Sequence, residues 1–286
     1  MSGQTVLIAG FSGRALAASA RRAGYRPLVA DAFGDADTRK LAAAVEVIPG
    51  AVEHGFHFRT LGPALERLAA TAPTPPLGLV LGAGFEDNWG LLTRLGAAHR
   101  LLGCSRSAVE AVKDPAHFFP LLSTLGITHP ETLTSPPKSG SGYLSKRIGG
   151  SGGTHIARCK AGVAAQRRRY FQREIAGTPV SMLGIIGTTC AFAFTRSWSS
   201  PAPRRPYRFG GIAGAIDIEA DLEARLVSIG LDVARACNLR GLVSFDFLLD
   251  SETPYLLEVN PRAGASLDVL DDAAGTLFKA HVAACE

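Results

Sequence analysis

The residues best suited to chemistry lie between positions 242 and 262. Leu242-Val243-Ser244-Phe245-Asp246-Phe247-Leu248-Leu249 reads as an apolar strand with one carboxylate in its middle, where an unpaired charge is costly. A turn at Ser251-Glu252-Thr253 leads to a second strand over 254–260, whose period of two puts Glu258 and Asn260 on one face and Leu257 and Val259 on the other. If those three residues close the hairpin, Asp250 pairs with Pro254 and Asp246 falls opposite Glu258. Like charges facing each other destabilise a sheet, so the pair makes sense around a divalent cation. Two carboxylates and an amide oxygen are hard donors that suit Mg²⁺. Two unrelated surface acids on an edge hairpin would leave the apolar flanks of Asp246 unexplained.

The elements that must position this hairpin follow from patterning. Residues 5–9 form an apolar run ending in Gly10-Phe11-Ser12-Gly13-Arg14, then a helix over 15–23 and a short strand over 27–30 that ends at Asp31. A helix near 61–70 and a strand at 78–81 continue the alternation, which predicts a parallel sheet. The character changes near Cys104. A helical stretch to Leu125 and a proline- and serine-rich loop over 129–142 precede short strands at 143–147, 170–175, 180–186 and 189–195, an antiparallel α+β pattern. One helix interrupts it, because Leu222, Leu226, Ile229, Val233 and Ala236 share one face.

Composition bounds the rest. The 286 residues are 47% hydrophobic and 19% charged, with 30 Lys and Arg against 25 Asp and Glu, which describes a globular chain rather than a disordered tail or coiled coil. The net charge of +5 favours anionic partners in general. The 5 cysteines lack a CxxC pair and suggest reduced thiols and a cytoplasmic location. Met1-Ser2-Gly3-Gln4 shows no charged leader, and no uninterrupted apolar run is long enough to span a membrane. Neither secretion nor a membrane partner is expected.

Glu258-Val259-Asn260-Pro261-Arg262, preceded by Asp246 on the neighbouring strand, resembles the E-x-N-P-R metal signature of the ATP-grasp superfamily. That resemblance implies that Asp246, Glu258 and Asn260 hold one or two Mg²⁺ ions on ATP phosphates. It gives Arg262 the role of stabilising the transferring phosphoryl group. Lys113, in Lys113-Asp114-Pro115, resembles the first ATP-binding lysine, and Lys146 the second, with a contact to the α-phosphate that adds to catalysis. Gly149-Gly150-Ser151-Gly152-Gly153-Thr154 resembles the loop that covers the phosphates, so Ser151, Gly152 and Gly153 are implied cofactor contacts. Gln172-Arg173-Glu174-Ile175 resembles the adenine-binding hinge, with two departures: Arg173 stands where an acid is usual, and Pro179 where a ribose-binding acid is common. Those departures touch Gln172, Glu174 and Ile175 as nucleotide contacts.

The implied fold is α/β: a parallel-sheet pre-ATP-grasp, Rossmann-like domain over 1–104, then ATP-grasp subdomains over 105–172 and 173–286. The implied activity is an ADP-forming carboxylate-amine ligase that works through an acyl phosphate on small-molecule substrates, in a superfamily where homodimers are common. The pattern is similar to predicted carboligases related to carbamoyl-phosphate synthase, which points to glutamate addition to a pterin- or furan-type one-carbon cofactor. A purine-precursor carboxylase and a non-catalytic nucleotide sensor are the other two readings. Gly10, Ser12 and Arg14 at the front turn, and Arg204, Arg208 and Gly210 in a basic loop, are expected to meet the substrate.

Other signals are read more plainly. The front turn with Asp31 would suit a dinucleotide, with Asp31 on a ribose, but Ser12 replaces the middle glycine. Arg167-Arg168-Arg169 is a solvated run rather than a nucleic-acid site. His54 and His57 lack a third ligand nearby, and His155 beside the glycine loop is either structural or a phosphate contact. Glu86, in Gly84-Phe85-Glu86-Asp87, is either a cleft contact or an ordinary loop residue.

Overall fold

A computed structural model describes residues 3–160, 162 and 167–286; Met1 and Ser2 of the leader reading lie outside the described residues. The first half is β1 (Thr5–Gly10), α1 (Arg14–Arg22), β2 (Arg26–Asp31), α2 (Ala36–Leu41), β3 (Ala44–Val47), α3 (Ala51–His54), α4 (Phe58–Ala70), β4 (Leu79–Leu81), α5 (Trp89–Ala98) and β5 (Leu101–Leu102). Their strands form one parallel sheet in the order β3-β2-β1-β4-β5. Every residue of β1 is buried, as expected for a sheet covered on both faces. Leu7 and Ala9 meet Leu61 and Leu65 of α4 in one core, while Val6 and Ile8 meet Leu16 of α1 and Phe278 near the chain's end in the other. The strand order reverses between β1 and β4. There the two chains close up, and a Cβ on Gly10 would lie 3.2 Å from the Cα of Gly82.

Next come α6 (Arg106–Lys113), α7 (Pro115–Thr124), β6 (Thr132–Leu133), β7 (Tyr143–Arg147), β8 (Ala157–Arg158) and β9 (Arg169–Arg173). Ser105 caps α6 by accepting the N–H of Ala108 at 3.2 Å. Asp114 ends α6 because it precedes a proline, and the same Asp114-Pro115 pair opens α7. Lys113 is thereby held at the very end of α6. The strands form a small antiparallel sheet, β6-β9-β7-β8.

The remainder is β10 (Thr178–Ile186), β11 (Ala191–Ser199), β12 (Phe209–Gly214), α8 (Ala220–Ala236), β13 (Gly241–Asp250), β14 (Thr253–Asn260), α9 (Leu267–Leu270) and α10 (Thr276–Cys285). An antiparallel sheet, β12-β11-β10-β13-β14, carries α8 on one face through Leu226 and Val233. Pro179 enters β10 beyond the reach of β11, so its missing N–H breaks no ladder there. Phe278 and Val282 of α10 share one core with Ile8 of the parallel sheet and with Leu183 and Leu242 of the antiparallel one.

The hairpin of β13 and β14 corrects one expectation and explains how its consequence survives. The turn has two residues, Ser251 and Glu252, with Asp250 opposite Thr253 rather than Pro254. From that start a regular ladder would put Leu257 opposite Asp246. Instead the register shifts by one between Phe247 and Asp246, so Phe247 pairs with Leu256 and Asp246 with Glu258. Leu257 is the extra residue of a β-bulge. Paired residues share a face of the sheet, so Leu256 lies with Phe247 in the core while Glu258 lies with Asp246 on the opposite face. Without the bulge, Leu256 and Glu258, two apart, would both have faced the core.

Candidate active site

Strand β13 brings Asp246 between two partners: Ser181 on β10 donates to its Oδ1 at 2.7 Å, and Asn260 Nδ2 donates to its Oδ2 at 3.0 Å. The amide of Asn260 is thereby oriented, and its Oδ1 faces Lys113 Nζ at 2.8 Å. The same ammonium donates to Glu258 Oε1. Asp246, Glu258, Asn260 and Lys113 are thus one cluster at the junction of α6 and the hairpin. Burial and the neighbouring Glu258 charge raise the pKa of Asp246. Burial pushes Glu258 the same way, but Lys113 and Lys146 outweigh it and hold that carboxyl below its usual range. The donor types fit Mg²⁺: the hard oxygens of Glu258 and Asn260 meet at a cation, the Lys113 ammonium, and Asp246 adjoins them through the Asn260 amide.

Lys146 lies on β7 diagonally across from Gln172 of β9, because Leu144 pairs with Gln172. Its Nζ donates to Gln172 Oε1 at 2.5 Å, and Gln172 Nε2 donates to Thr132 at 3.2 Å. Burial lowers the Lys146 pKa against the pull of Glu258 and Asp246. An apolar cavity lined by Phe118, Phe119, Ile148, Tyr170 and the bulged Leu257 has Lys113 and Glu258 in its wall.

The glycine loop leaves the end of β7. Gly149, Gly152 and Gly153 have φ of +67°, +67° and +70°, a region glycine enters without strain. The carbonyl of Gly152 accepts the N–H of Phe209 at 2.9 Å, and a Cβ on Gly153 would lie 1.8 Å from the carbonyl oxygen of Tyr207. Ser151 directly precedes these two contacts, and His155 packs against Gly150. Burial there pushes the imidazole down to about 4.

In the hinge, the Glu174 carboxylate accepts from Tyr207 Oη at 2.6 Å and Arg158 at 3.1 Å. Its N–H goes to the carbonyl of Gly142 at 2.8 Å. Arg173 turns outward, with its guanidinium 4.4 Å from the ring centre of Tyr143 and 3.0 Å from Glu131. Ile175 follows in irregular chain, half-buried.

Arg262 follows β14 and is tied to the parallel-sheet half. Its Nε donates to Glu86 Oε1 at 2.6 Å and its Nη1 to the carbonyl of Ala263 at 2.9 Å. Burial pushes the Glu86 carboxyl up, but Arg262, Lys113 and the Gly84 N–H outweigh it and lower it. Glu86 is the residue that sequence reading left undecided. Its local signal was only an acid in an apolar, glycine-rich stretch.

The expected substrate residues do not gather in one place. Gly10 backs onto Gly82, Ser12 is exposed, and Arg14 lies 3.8 Å from Asp268. Arg208 is turned to its own loop, donating to Ser200 O and Oγ at 2.8 and 2.9 Å. Arg204 has a φ of +62° in that loop, and Gly210 packs where a side chain would strike Trp198. Asp31 is fully engaged: it accepts the N–H groups of Gly13, Phe33 and Gly34 at 3.1, 3.1 and 2.7 Å. This accounts for its charge without a ribose. His54 and His57 are exposed, and no described helix is long and apolar enough to cross a membrane.

The sequence and the fold have counterparts among known proteins. Among curated proteins, the carbamoyl phosphate synthase large chain of Myxococcus xanthus (strain DK1622) is 23% identical over 210 residues, covering 65% of this chain and 19% of that protein. The chain thus spans about a fifth of that relative's length. Among solved structures, biotin carboxylase from Campylobacter jejuni, complexed with beta-gamma-ATP, has a TM-score of 0.71 at 17% identity, covering 98% of this chain and 71% of its own. N5-carboxyaminoimidazole synthetase from Staphylococcus aureus, complexed with ADP, has 0.70 at 16%, covering 99% and 77%. Glycinamide-RNase-transformylase T from Mycobacterium tuberculosis has 0.67 at 15%, covering 98% and 81%. At those identities the likeness is one of fold. The model of the ATP-grasp domain matches residues 112–266, more than half of the sequence and the whole stretch from Lys113 to Arg262, and the chain belongs to the ATP-grasp family.

Proposed function

We propose that this protein is an ATP- and Mg²⁺-dependent carboxylate-amine ligase that forms a C–N bond and releases ADP. The observation that carries this reading is the cluster of Asp246, Glu258 and Asn260 with Lys113 already lying on two of its oxygens. Bound by those three residues, Mg²⁺ supplies neutralisation of charge on the ATP phosphates. Lys146 and the N–H groups of the glycine loop, Ser151 to Gly153, bind the triphosphate, and the apolar cavity beside Leu257 takes the base. Arg262 stabilises charge on the transferred phosphoryl group. A substrate carboxylate oxygen attacks the γ-phosphorus as the bond to ADP breaks, giving an acyl phosphate. The amine then attacks that carbonyl, phosphate leaves, and the nitrogen loses a proton. Positioning and fixed charge carry the reaction, with no covalent enzyme intermediate. The front 104 residues would present the substrate to a cleft formed by residues 105–172 and 173–286.

Glutamate on a pterin- or furan-type acceptor is the finer reading, supported by sequence resemblance. Carboxylation of a purine precursor uses the same phosphate site, and bicarbonate-dependent phosphate release would single it out. The first test is thermal unfolding with Mg²⁺ and ATP, ADP, NAD or NADP, since a ligand of the folded state raises its melting temperature. Mg²⁺-dependent stabilisation by ATP or ADP, lost in Glu258→Gln, is expected. A shift with NAD or NADP alone would overturn the reading.

A further inference from the structure

The loop that follows β4, residues 84–88, touches both walls of the proposed phosphate cleft. On one side Glu86 reaches Arg262, 176 positions away in the chain, with side-chain exposures of only 4% and 12%. The other oxygen of Glu86 accepts the N–H groups of Gly84 and Phe85 at 2.8 and 2.9 Å, so the carboxylate is fixed before it meets the guanidinium. On the other side Asp87 accepts from Arg147 at 2.8 Å, next to Lys146. Gly149, the first residue of the glycine loop, is pressed so closely on this segment that a Cβ would lie 2.7 Å from the Asp87 backbone nitrogen.

We propose that Glu86 is a positioning residue for Arg262, holding the Nε edge of the guanidinium so that its remaining N–H groups are presented to the transferring phosphoryl group. This rests on the ligase reading, because it takes Arg262 to act on that group. A guanidinium has five N–H donors; Glu86 and the Ala263 carbonyl take one each, on Nε and Nη1. Among the described residues neither Nη2 donor has a partner, and two contacts set the plane of the fork. Glu86 belongs to the parallel-sheet half, so the geometry of the phosphoryl site is tied to the end of that sheet where Gly10 closes β1 and Gly82 follows β4.

The test needs no substrate. Affinity is measured for Mg·ADP alone and for Mg·ADP with fluoroaluminate, a mimic of the transferring phosphoryl group. In the wild type, fluoroaluminate should tighten binding by about tenfold or more, as transition-state mimics do. Arg262→Ala should abolish that gain. Glu86→Gln, which keeps the shape but loses the charge, should lose most of the gain with Mg·ADP affinity unchanged. Glu86→Asp, which draws the carboxylate back, should fall between and carries the comparison if Glu86→Gln does not fold. A merely structural role would lower unliganded stability and Mg·ADP affinity together and leave the fluoroaluminate gain intact. If Glu86→Gln retains the wild-type gain, the inference fails and the ligase reading stands. If the wild type binds no Mg·ADP, the ligase reading itself fails.

Discussion

Replacing Lys113 by Met should strengthen metal binding in the absence of nucleotide and weaken it in the presence of ATP. The Lys113 ammonium donates to Glu258 Oε1 and to Asn260 Oδ1, the oxygens that a metal ion would use. Lysine and metal are therefore competitors until a triphosphate offers the lysine another partner. An ion pair at about 4 Å with an effective dielectric of about 20 is worth about 4 kcal/mol. A displaced ammonium recovers part of that from water, so a net penalty of about 2 kcal/mol, about thirtyfold in Kd, is the working figure. Mn²⁺ binding followed by electron paramagnetic resonance, with and without ATP, measures both halves. Lys113→Met should bind free Mn²⁺ about thirtyfold more tightly than the wild type and should bind Mn·ATP more weakly. Unchanged or weaker binding of free Mn²⁺ would refute the competition, because removing a rival cation from two ligand oxygens can only help the metal.

Three further outcomes follow from contacts elsewhere. His281 is buried, accepting from Leu242 N–H at 2.9 Å and facing the Leu102 carbonyl at 3.1 Å, and burial pushes its pKa from 6.5 down to about 4. The unfolded chain therefore binds the extra proton first, so stability is complete above pH 6.5 and falls by about 3 kcal/mol as pH drops to about 4. Urea midpoints across that range should flatten in His281→Gln. Gly153→Ala should weaken Mg·ATP binding in calorimetry and lower the melting temperature, because alanine is strained at a φ of +70° and its Cβ would meet the Tyr207 carbonyl at 1.8 Å where the two loops join. Asp31→Asn should cost about 2 kcal/mol of stability in denaturant titration through its three backbone contacts. It should leave nucleotide binding alone; a specific loss of NAD or NADP binding would revive the dinucleotide reading.

The choice of Asp246, Glu258 and Asn260 was legible because charge in an apolar strand and a period of two are local signals, whereas the register that pairs Asp246 with Glu258 was reached from a turn the structure does not have. The turn was not. A two-residue connection needs an unusual backbone, here Ser251 at a φ of +53°, and composition alone made Ser251-Glu252-Thr253 look like the whole turn. The bulge at Leu257 then restored the expected partner, and nothing in Tyr255-Leu256-Leu257-Glu258 marks which leucine is extra. The strand limits at 143–147 and the helix face through Leu226 and Val233 were readable for the same local reason. Glu86 was not readable as a partner of Arg262, since a contact across 176 positions leaves no trace in spacing. Glu174 likewise resembled a hinge acid, and only the fold shows that Tyr207 and Arg158 occupy its carboxylate.

The pairing of charges in the cleft also implies an order of events. Lys113 and Arg262 each rest on a carboxylate, Glu258 and Glu86 respectively. Lys146 donates to a neutral amide, Gln172 Oε1, while burial makes its charge costly to hold. A polyanion entering the cleft thus gains most at Lys146, where a strained cation is relieved and no ion pair is broken. Lys113 should exchange second, since leaving Glu258 and Asn260 becomes favourable only when phosphate receives the ammonium and a metal ion replaces it. Lys146→Met should therefore abolish binding of metal-free ATP, whereas Lys113→Met should chiefly remove the dependence of ATP affinity on Mg²⁺. Calorimetric titration of both variants with ATP, in the presence of chelator and then of Mg²⁺, separates the two steps. Equal loss in both conditions for both variants would show that the lysines act together rather than in sequence.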